Sequence, residues 1–225
     1  MKKLVTSLFA VLFHVGVGNA KVASTQYERA LINAAKEGNA SQVRGLLEAG
    51  TDPNVTDKDG NTPLIWAAAH NTPEVVKILL DAGAKVNAAR YDGLTPLLGA
   101  AKNNTPEVIK ILLTAGANIN ARDSNGMTAL LTAAQFNVPE AVNILIDAGA
   151  DDVKNNYGDN AMSLAARWNS PEMVETLLHA GADLSAKNQD GYTALDHAKE
   201  NEKLKGTAVL QELIEKFKTE EAQII

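Results

Sequence analysis

Between residues 58 and 90 the apolar positions form two separate stripes. Leu64, Ala67 and Ala68 stand at helical spacing. A polar break at Asn71-Thr72 follows, and Val75, Val76, Leu79 and Leu80 then form a second stripe. Punctuation brackets both. Asp59-Gly60 is a turn signal, because glycine accepts a positive φ. Thr62-Pro63 opens the first predicted helix: the hydroxyl can cap it, and proline in the first turn forfeits no hydrogen bond. Asn71 ends that helix, since asparagine tolerates the left-handed conformation of a helix exit. Thr72-Pro73-Glu74 opens the second by the same logic, with Glu74 at the positive end of the helix dipole. Gly83 stops it, and Lys85 to Arg90 is predicted to return extended to the next turn. The unit reads turn, short helix, turn, short helix, extended finger.

The unit recurs. Gly60, Gly93, Gly126, Gly158 and Gly191 are spaced by 33, 33, 32 and 33 residues. Gly50, Gly83, Gly116, Gly149 and Gly181 keep the same beat, as do Pro73, Pro106, Pro139 and Pro171. Segments 71–80 and 104–113 differ at one position. A fixed period of this length means stacked supersecondary units, none of which closes a core alone.

The run Asp59 to Ala68 (DGNTPLIWAA) resembles the ankyrin repeat, whose hallmark is a T-P-L-H-x-A core. Asp92 to Leu97 and Gly126 to Leu130 match again, and Gly83 to Ala88 and Gly116 to Ala121 resemble the family's finger entry. The resemblance spans about residues 26–217. It implies an all-α solenoid of stacked helix-turn-helix repeats with short β-hairpin fingers. The family histidine is replaced by Ile65, Leu98, Leu131, Ser163 and Asp196, which removes a Thr–His hydrogen bond. The glycine between the helices is Asn71, Asn104, Asn137, Asn169 and Asn201, where a left-handed turn is still expected. Between Gly149 and Gly158 one residue is missing, and Asn160-Ala161 replaces Thr-Pro, so a shortened or distorted finger is expected at 150–162.

The ends are predicted to be caps. Thr25 with Glu28 three residues on reads as a capping box that starts the first helix, and Ala40 to Leu47 supplies the second. At the other end Leu195 to Asn201 continues the pattern, before a charged helix from about Thr207 to Phe217. The expected organisation is a capping repeat at 21–57, four repeats over 58–188, and a capping repeat with tail over 189–225.

Residues 1–20 fit the three-part export signal. Met1-Lys2-Lys3 is basic, Leu4 to Val17 is largely apolar, and Gly18-Asn19-Ala20 places small residues before a cut at Lys21. The apolar run of 14 residues is short of the ~20 that span a bilayer. Its short basic start resembles bacterial signals, so the periplasm is the expected compartment, secretion the second choice, and membrane contact is confined to export. Removing this leader takes the formal charge from −6 to −8. An acidic chain with scattered lysines argues against nucleic acid as the partner.

Composition narrows the chemistry. The chain has no cysteine, which excludes disulfides, thiolate metal sites and cysteine nucleophiles. His70, His179 and His197 fall in different units without ligand spacing, and no catalytic or nucleotide-binding motif is present. Asp151-Asp152 reads as a solvated loop tip. No catalytic residue, metal site or cofactor is expected.

What remains is surface. On the first helix of each unit the positions facing away from the apolar stripe are Trp66, Ala69 and His70 and their equivalents. Those are Gly99, Lys102 and Asn103; Thr132, Gln135 and Phe136; Leu164, Arg167 and Trp168; and His197, Glu200 and Asn201. In a stack that resembles ankyrin repeats this face lines the concave groove. Only 4% of the chain is aromatic, yet both tryptophans and Phe136 fall in this set. Large rings in a groove are binding anchors. Phe136 and Trp168 occupy equivalent positions of adjacent units and are expected to lie close together. Tyr91, Tyr157 and Tyr192 sit at the finger turns and either extend that face or pack finger on finger. The expected protein-binding residues are Trp66, His70, Tyr91, Lys102, Asn103, Gln135, Phe136, Arg167 and Trp168. Lys102 and Arg167 suggest an acidic patch on the partner. The expected function is a monomeric, non-catalytic protein-binding module outside the cytoplasm. Alternatives are an immunity, inhibitor or accessory protein for one exported toxin or enzyme, and a stress-protective structural factor with weak clients.

Overall fold

A computed structural model describes residues 17–223 except Asn71, Asn104 and Asn137, with side chains over 25–219. Residues 1–16 of the expected export signal therefore lie outside the described residues, and so do three of the five inter-helix asparagines. Twelve helices form six antiparallel pairs among the described residues. They are α1 (Val17–Glu37) with α2 (Ala40–Glu48), α3 (Pro63–Ala69) with α4 (Pro73–Asp81), and α5 (Pro96–Lys102) with α6 (Pro106–Thr114). Next come α7 (Ala129–Gln135) with α8 (Pro139–Asp147), α9 (Ala161–Trp168) with α10 (Pro171–His179), and α11 (Ala194–Glu200) with α12 (Ala208–Gln223). Odd-numbered helices pack on one another as an inner layer, and even-numbered helices form an outer layer. None of the described helices is long and apolar enough to cross a membrane.

The inner helices start where threonine caps them. Thr62, Thr95, Thr128 and Thr193 each accept the amide N–H three residues on, at 3.2–3.3 Å. Asn160 takes over this role in α9, accepting from the Ser163 amide at 2.9 Å. The outer helices start differently from expectation. Thr72 and Thr105 do not cap their own helices; each hydroxyl donates back to a carbonyl of the preceding helix, Ala67 or Ala100, at 2.9 Å. Carbonyls in a last helical turn lack intrahelical donors, so the hydroxyl satisfies an existing acceptor there.

The core runs unbroken through the stack. Leu64, Leu79, Leu97, Ile109, Leu112, Leu130, Leu131 and Leu145 are fully buried. The alanine pairs 67–68, 100–101, 133–134 and 165–166 have no exposed surface, so inner helices approach at small-side-chain distance. Leu80, expected in the core, is half-buried, and Ile78 is buried beside it.

Successive units are also joined by polar staples. Asn54 donates to the Gly83 carbonyl at 3.2 Å and accepts the Lys85 amide at 2.7 Å. Asn87 repeats this with Gly116 and Asn118 at the same two distances. At the finger tips, Ser124 N–H donates to Asp92 O, Asn156 N–H to Asn125 O and Gln189 N–H to Tyr157 O, at 2.8–2.9 Å.

Several expectations are corrected. No strand is present among the described residues, so the fingers are turn loops and not β-hairpins. At most one backbone bond per finger step joins the tips, too few for a ladder. The helix that holds Thr25 already runs at Val17, so Thr25 lies in its interior and cannot cap it. The stretch from Val17 to Ser24 contains no proline that would end the helix upstream. Asn169 (φ −110°) and Asn201 (φ −77°) are extended, not left-handed. Their side chains explain why: Asn169 donates to the Ala134 carbonyl, and Asn201 donates to Ala166 O at 2.9 Å and Asn169 O at 3.0 Å. These residues staple one unit to the previous one. The last helix extends to Gln223, beyond the expected Phe217. In the short loop, residues 151–155 lack the turn found at 86–87 and 119–120, yet the tip around Gly158 keeps its positive φ of 84°. The missing residue therefore removes the first turn and spares the tip.

Candidate functional site

Inner helices present only part of the predicted face. Gly99, Thr132, Leu164 and His197 are buried, because this row points at the neighbouring inner helix; Gly99 leaves room for Ala69. Asn201 is buried in its staple. Lys102, Asn103, Phe136, Arg167 and Trp168 are exposed, Gln135 is half-buried, and the exposed large hydrophobic rings of these inner helices are Phe136 at 46% and Trp168 at 53%.

Each ring on this face lies under a cation. Lys102 Nζ sits 5.2 Å from the Phe136 centroid, Arg167 Cζ 4.8 Å from Trp168, and Lys36 Nζ 4.7 Å from Trp66. Such pairs hold a ring in a fixed pose at an exposed site for ~0.5–1 kcal/mol each. No ring–ring contact joins Phe136 to Trp168 among the described residues.

Trp66 is more tightly engaged than an open anchor. Its indole N–H donates to Asp57 Oδ2 at 2.9 Å, and the His70 ring lies 5.4 Å from it. Burial pushes the Asp57 carboxyl up, but donors from Asn61, Trp66 and Asp59 outweigh it and hold the group below the usual carboxylate range. Trp66, Asp57 and Lys36 line an open concavity of about 500 Å³ against α1. Asn103 caps its own helix, donating to Gly99 O at 2.9 Å. Tyr91 stands out at 83% exposed, its ring across Gly60. Apart from Asn103, the expected binding residues thus divide between the Trp66–His70 end, the Lys102–Phe136 pair, Tyr91 and a second concavity.

That second concavity, about 440 Å³, joins helix face to fingers: Gln135, Arg167 and Trp168 meet Tyr157, Asn188 and Asp190 across it. Its floor includes Asp159, 5% exposed. Behind Asp159 stands His197, 7% exposed, with Nε2 at 3.9 Å from Asp159 Oδ1 and 3.4 Å from the Asn188 amide nitrogen. Tyr192 stacks on the His197 ring, centroids 5.6 Å apart. Its partner is therefore a neighbour within its own unit.

Two overlapping stretches, 31–123 and 97–188, match the family model described as ankyrin repeats (3 copies). The chain belongs to the ankyrin-repeat family. No curated protein matches it. Members of this family are generally protein-interaction modules and are typically non-catalytic. In this ankyrin-repeat chain the finger tips are built on one recurring device. Asp57, Asp123, Asn155 and Asn188 each accept the amides two and four residues on. At the equivalent place Arg90 instead pairs with Asp92, which accepts the Leu94 amide and is held down to about 2 by the guanidinium, against its burial.

Sequence reasoning missed Lys36, Asp57, Asp159, Asn155 and Asn188. The period was a usable signal for some: Lys36 lies 33 residues before Ala69, in the row of Lys102 and Arg167, and Asn155 and Asn188 are 33 apart. Nothing local marks Asp159, whose environment comes from the next unit.

His197 gives this region a pH signature. Burial lowers its pKa first, and Arg167 lowers it further, against the pull of Asp159, Glu200 and Asp196. The unfolded chain therefore takes up this proton near the ordinary pKa of ~6.5 and the folded chain only at lower pH, so stability falls as pH drops below ~6.5. Urea midpoints between ~pH 7.5 and ~pH 5.5 are expected to fall less in His197→Gln than in the wild type. Parallel pH dependence in both would show that His197 carries none of it.

Proposed function

We propose that the chain is a non-catalytic binding module that acts outside the cytoplasm and holds one partner protein on its inner helix face and finger tips. The observation that carries this reading is the pair of open, pre-positioned rings, Phe136 under Lys102 and Trp168 under Arg167. Rings fixed by cations need little further ordering on binding, and aromatic anchors supply a large share of interface energy. The two cations favour an acidic patch on the partner. Export rests on the basic, apolar and small-residue sections of residues 1–20. The chain acts as a monomer, with its end helices capping the stack.

Captures from the native host's extracellular or periplasmic fraction test this. Phe136→Ala with Trp168→Ala is expected to weaken retention of the main partner by ~30-fold or more, the effect of losing a hot spot of ~2 kcal/mol. Both positions are exposed, so stability is expected to change by no more than ~0.5 kcal/mol per site. An unchanged partner list and affinity would overturn the groove reading. Mass spectrometry of the exported chain is expected to give an N-terminus at Lys21; one at Met1 would overturn the compartment.

A further inference from the structure

We propose that the concavity above Asp159 receives a guanidinium group, an arginine side chain of the partner protein. This rests on the binding reading above and adds the chemistry of one pocket.

Asp159 is the starting point. It is 95% buried, it lines the concavity, and its Oδ1 is the buried side-chain atom without a hydrogen-bond partner among the described residues. Buried carboxylate oxygens without donors are rare because desolvation is not offset. Its own surroundings do not supply the donor. The nearest basic nitrogen, His197 Nε2 at 3.9 Å, is beyond hydrogen-bonding distance. The Asn188 amide nitrogen is directed to His197.

The walls fit a flat cation on an aliphatic stem. Met127 and Leu164 are apolar, Gln189 and Asp190 stand at the fingers, and Tyr157 and Trp168 offer ring faces. Trp168 already carries one guanidinium, Arg167, at 4.8 Å, so its face suits this group. A volume of about 440 Å³ is within the range of ligand-sized pockets. Arg167 is the opposing charge at the rim, its guanidinium over the Trp168 ring, and no ion pair or hydrogen bond joins it to Asp159 among the described residues. A planar guanidinium can lie on a ring face while it donates to a carboxylate, which a compact ammonium does not do. The interface then has mixed signs: Lys102 and Arg167 face acidic groups of the partner while Asp159 takes its arginine.

The probe is N-acetyl-arginine amide, titrated into the full folded chain at low salt and followed by nitrogen-15 NMR. Saturable shifts are expected at the side-chain amides of Asn155 and Asn188 and at the Trp168 indole. Asp159→Asn, which keeps the shape, is expected to weaken binding at least ~10-fold, the scale of losing one charge-assisted pair. The neutral isostere N-acetyl-citrulline amide is expected to give no saturable shift. Equal binding by citrulline, or by Asp159→Asn with its spectrum otherwise intact, would overturn the pocket. So would tighter binding of N-acetyl-glutamate amide at the same residues. Asp159→Glu, which keeps the charge, guards against a folding artefact and is expected to retain most of the binding. Partner capture separates this proposal from the groove reading. Loss with Phe136→Ala and Trp168→Ala but not with Asp159→Asn would sink the pocket alone, whereas retention in all of them would sink the groove.

Discussion

Replacing Gly93 with alanine is expected to lower the unfolding free energy by about 2–5 kcal/mol, far more than the same change at Gly83. Both glycines have the same backbone, φ +86° and +88°. For any residue with a Cβ, that left-handed conformation costs roughly 1–2 kcal/mol. The two differ in what surrounds them. A Cβ on Gly93 would stand 2.8 Å from Asp123 Cα and 3.1 Å from Arg122 O, both main-chain atoms of the next finger. At Gly83 nothing lies within 4 Å. Gly93→Ala must therefore push two fingers apart and endanger the Ser124 N–H to Asp92 O bond, whereas Gly83→Ala carries the conformational term alone. Paired urea unfolding of the two variants isolates the contact. Equal losses would mean that the close approach of the fingers contributes nothing.

That contrast bears on what could be read from the chain. Gly60, Gly93, Gly126, Gly158 and Gly191 and the second set of glycines share a period, and the sequence treats them alike as turn residues. In space the first set meets the next finger at Gly60, Gly93, Gly126 and Gly158, and Gly83, Gly116 and Gly149 face open room. Helix starts, apolar stripes and the alanine pairs were legible because they depend on neighbours three or four residues away. Helix identity and stacking followed from the period. The open face was only half legible. A single helix cannot reveal which of its outward positions the next unit covers, so Gly99, Thr132, Leu164 and His197 looked as available as Lys102 or Trp168. Asn169 and Asn201 were misread for the same reason. Asparagine's backbone tolerance is a local property, but its amide reaching the previous unit is not.

Asn201→Ala is the second large effect expected, about 2–4 kcal/mol, and it should be local to one end of the stack. The side chain is 9% exposed and fully used: it donates to Ala166 O and Asn169 O and accepts the Lys203 amide at 3.0 Å. Alanine would leave those groups without their partner at the junction of α9, α10 and α11, and unsatisfied buried groups cost roughly 1–3 kcal/mol each where water cannot enter. Asn201→Asp should be worse, since a carboxylate would face two carbonyl oxygens. Asn103→Ala is the reference: it also loses an amide-to-carbonyl bond, but at an exposed helix end where water replaces it, so ~0.5 kcal/mol or less is expected. Because each unit contacts only its neighbours, a broken interface near the end uncouples what lies beyond it. Hydrogen exchange in Asn201→Ala should therefore show α11 and α12 opening before the rest, with protection in α3 to α8 kept near wild type. Uniform loss of protection along the whole chain would show that the stack unfolds as one cooperative block and that this staple does not define a boundary within it.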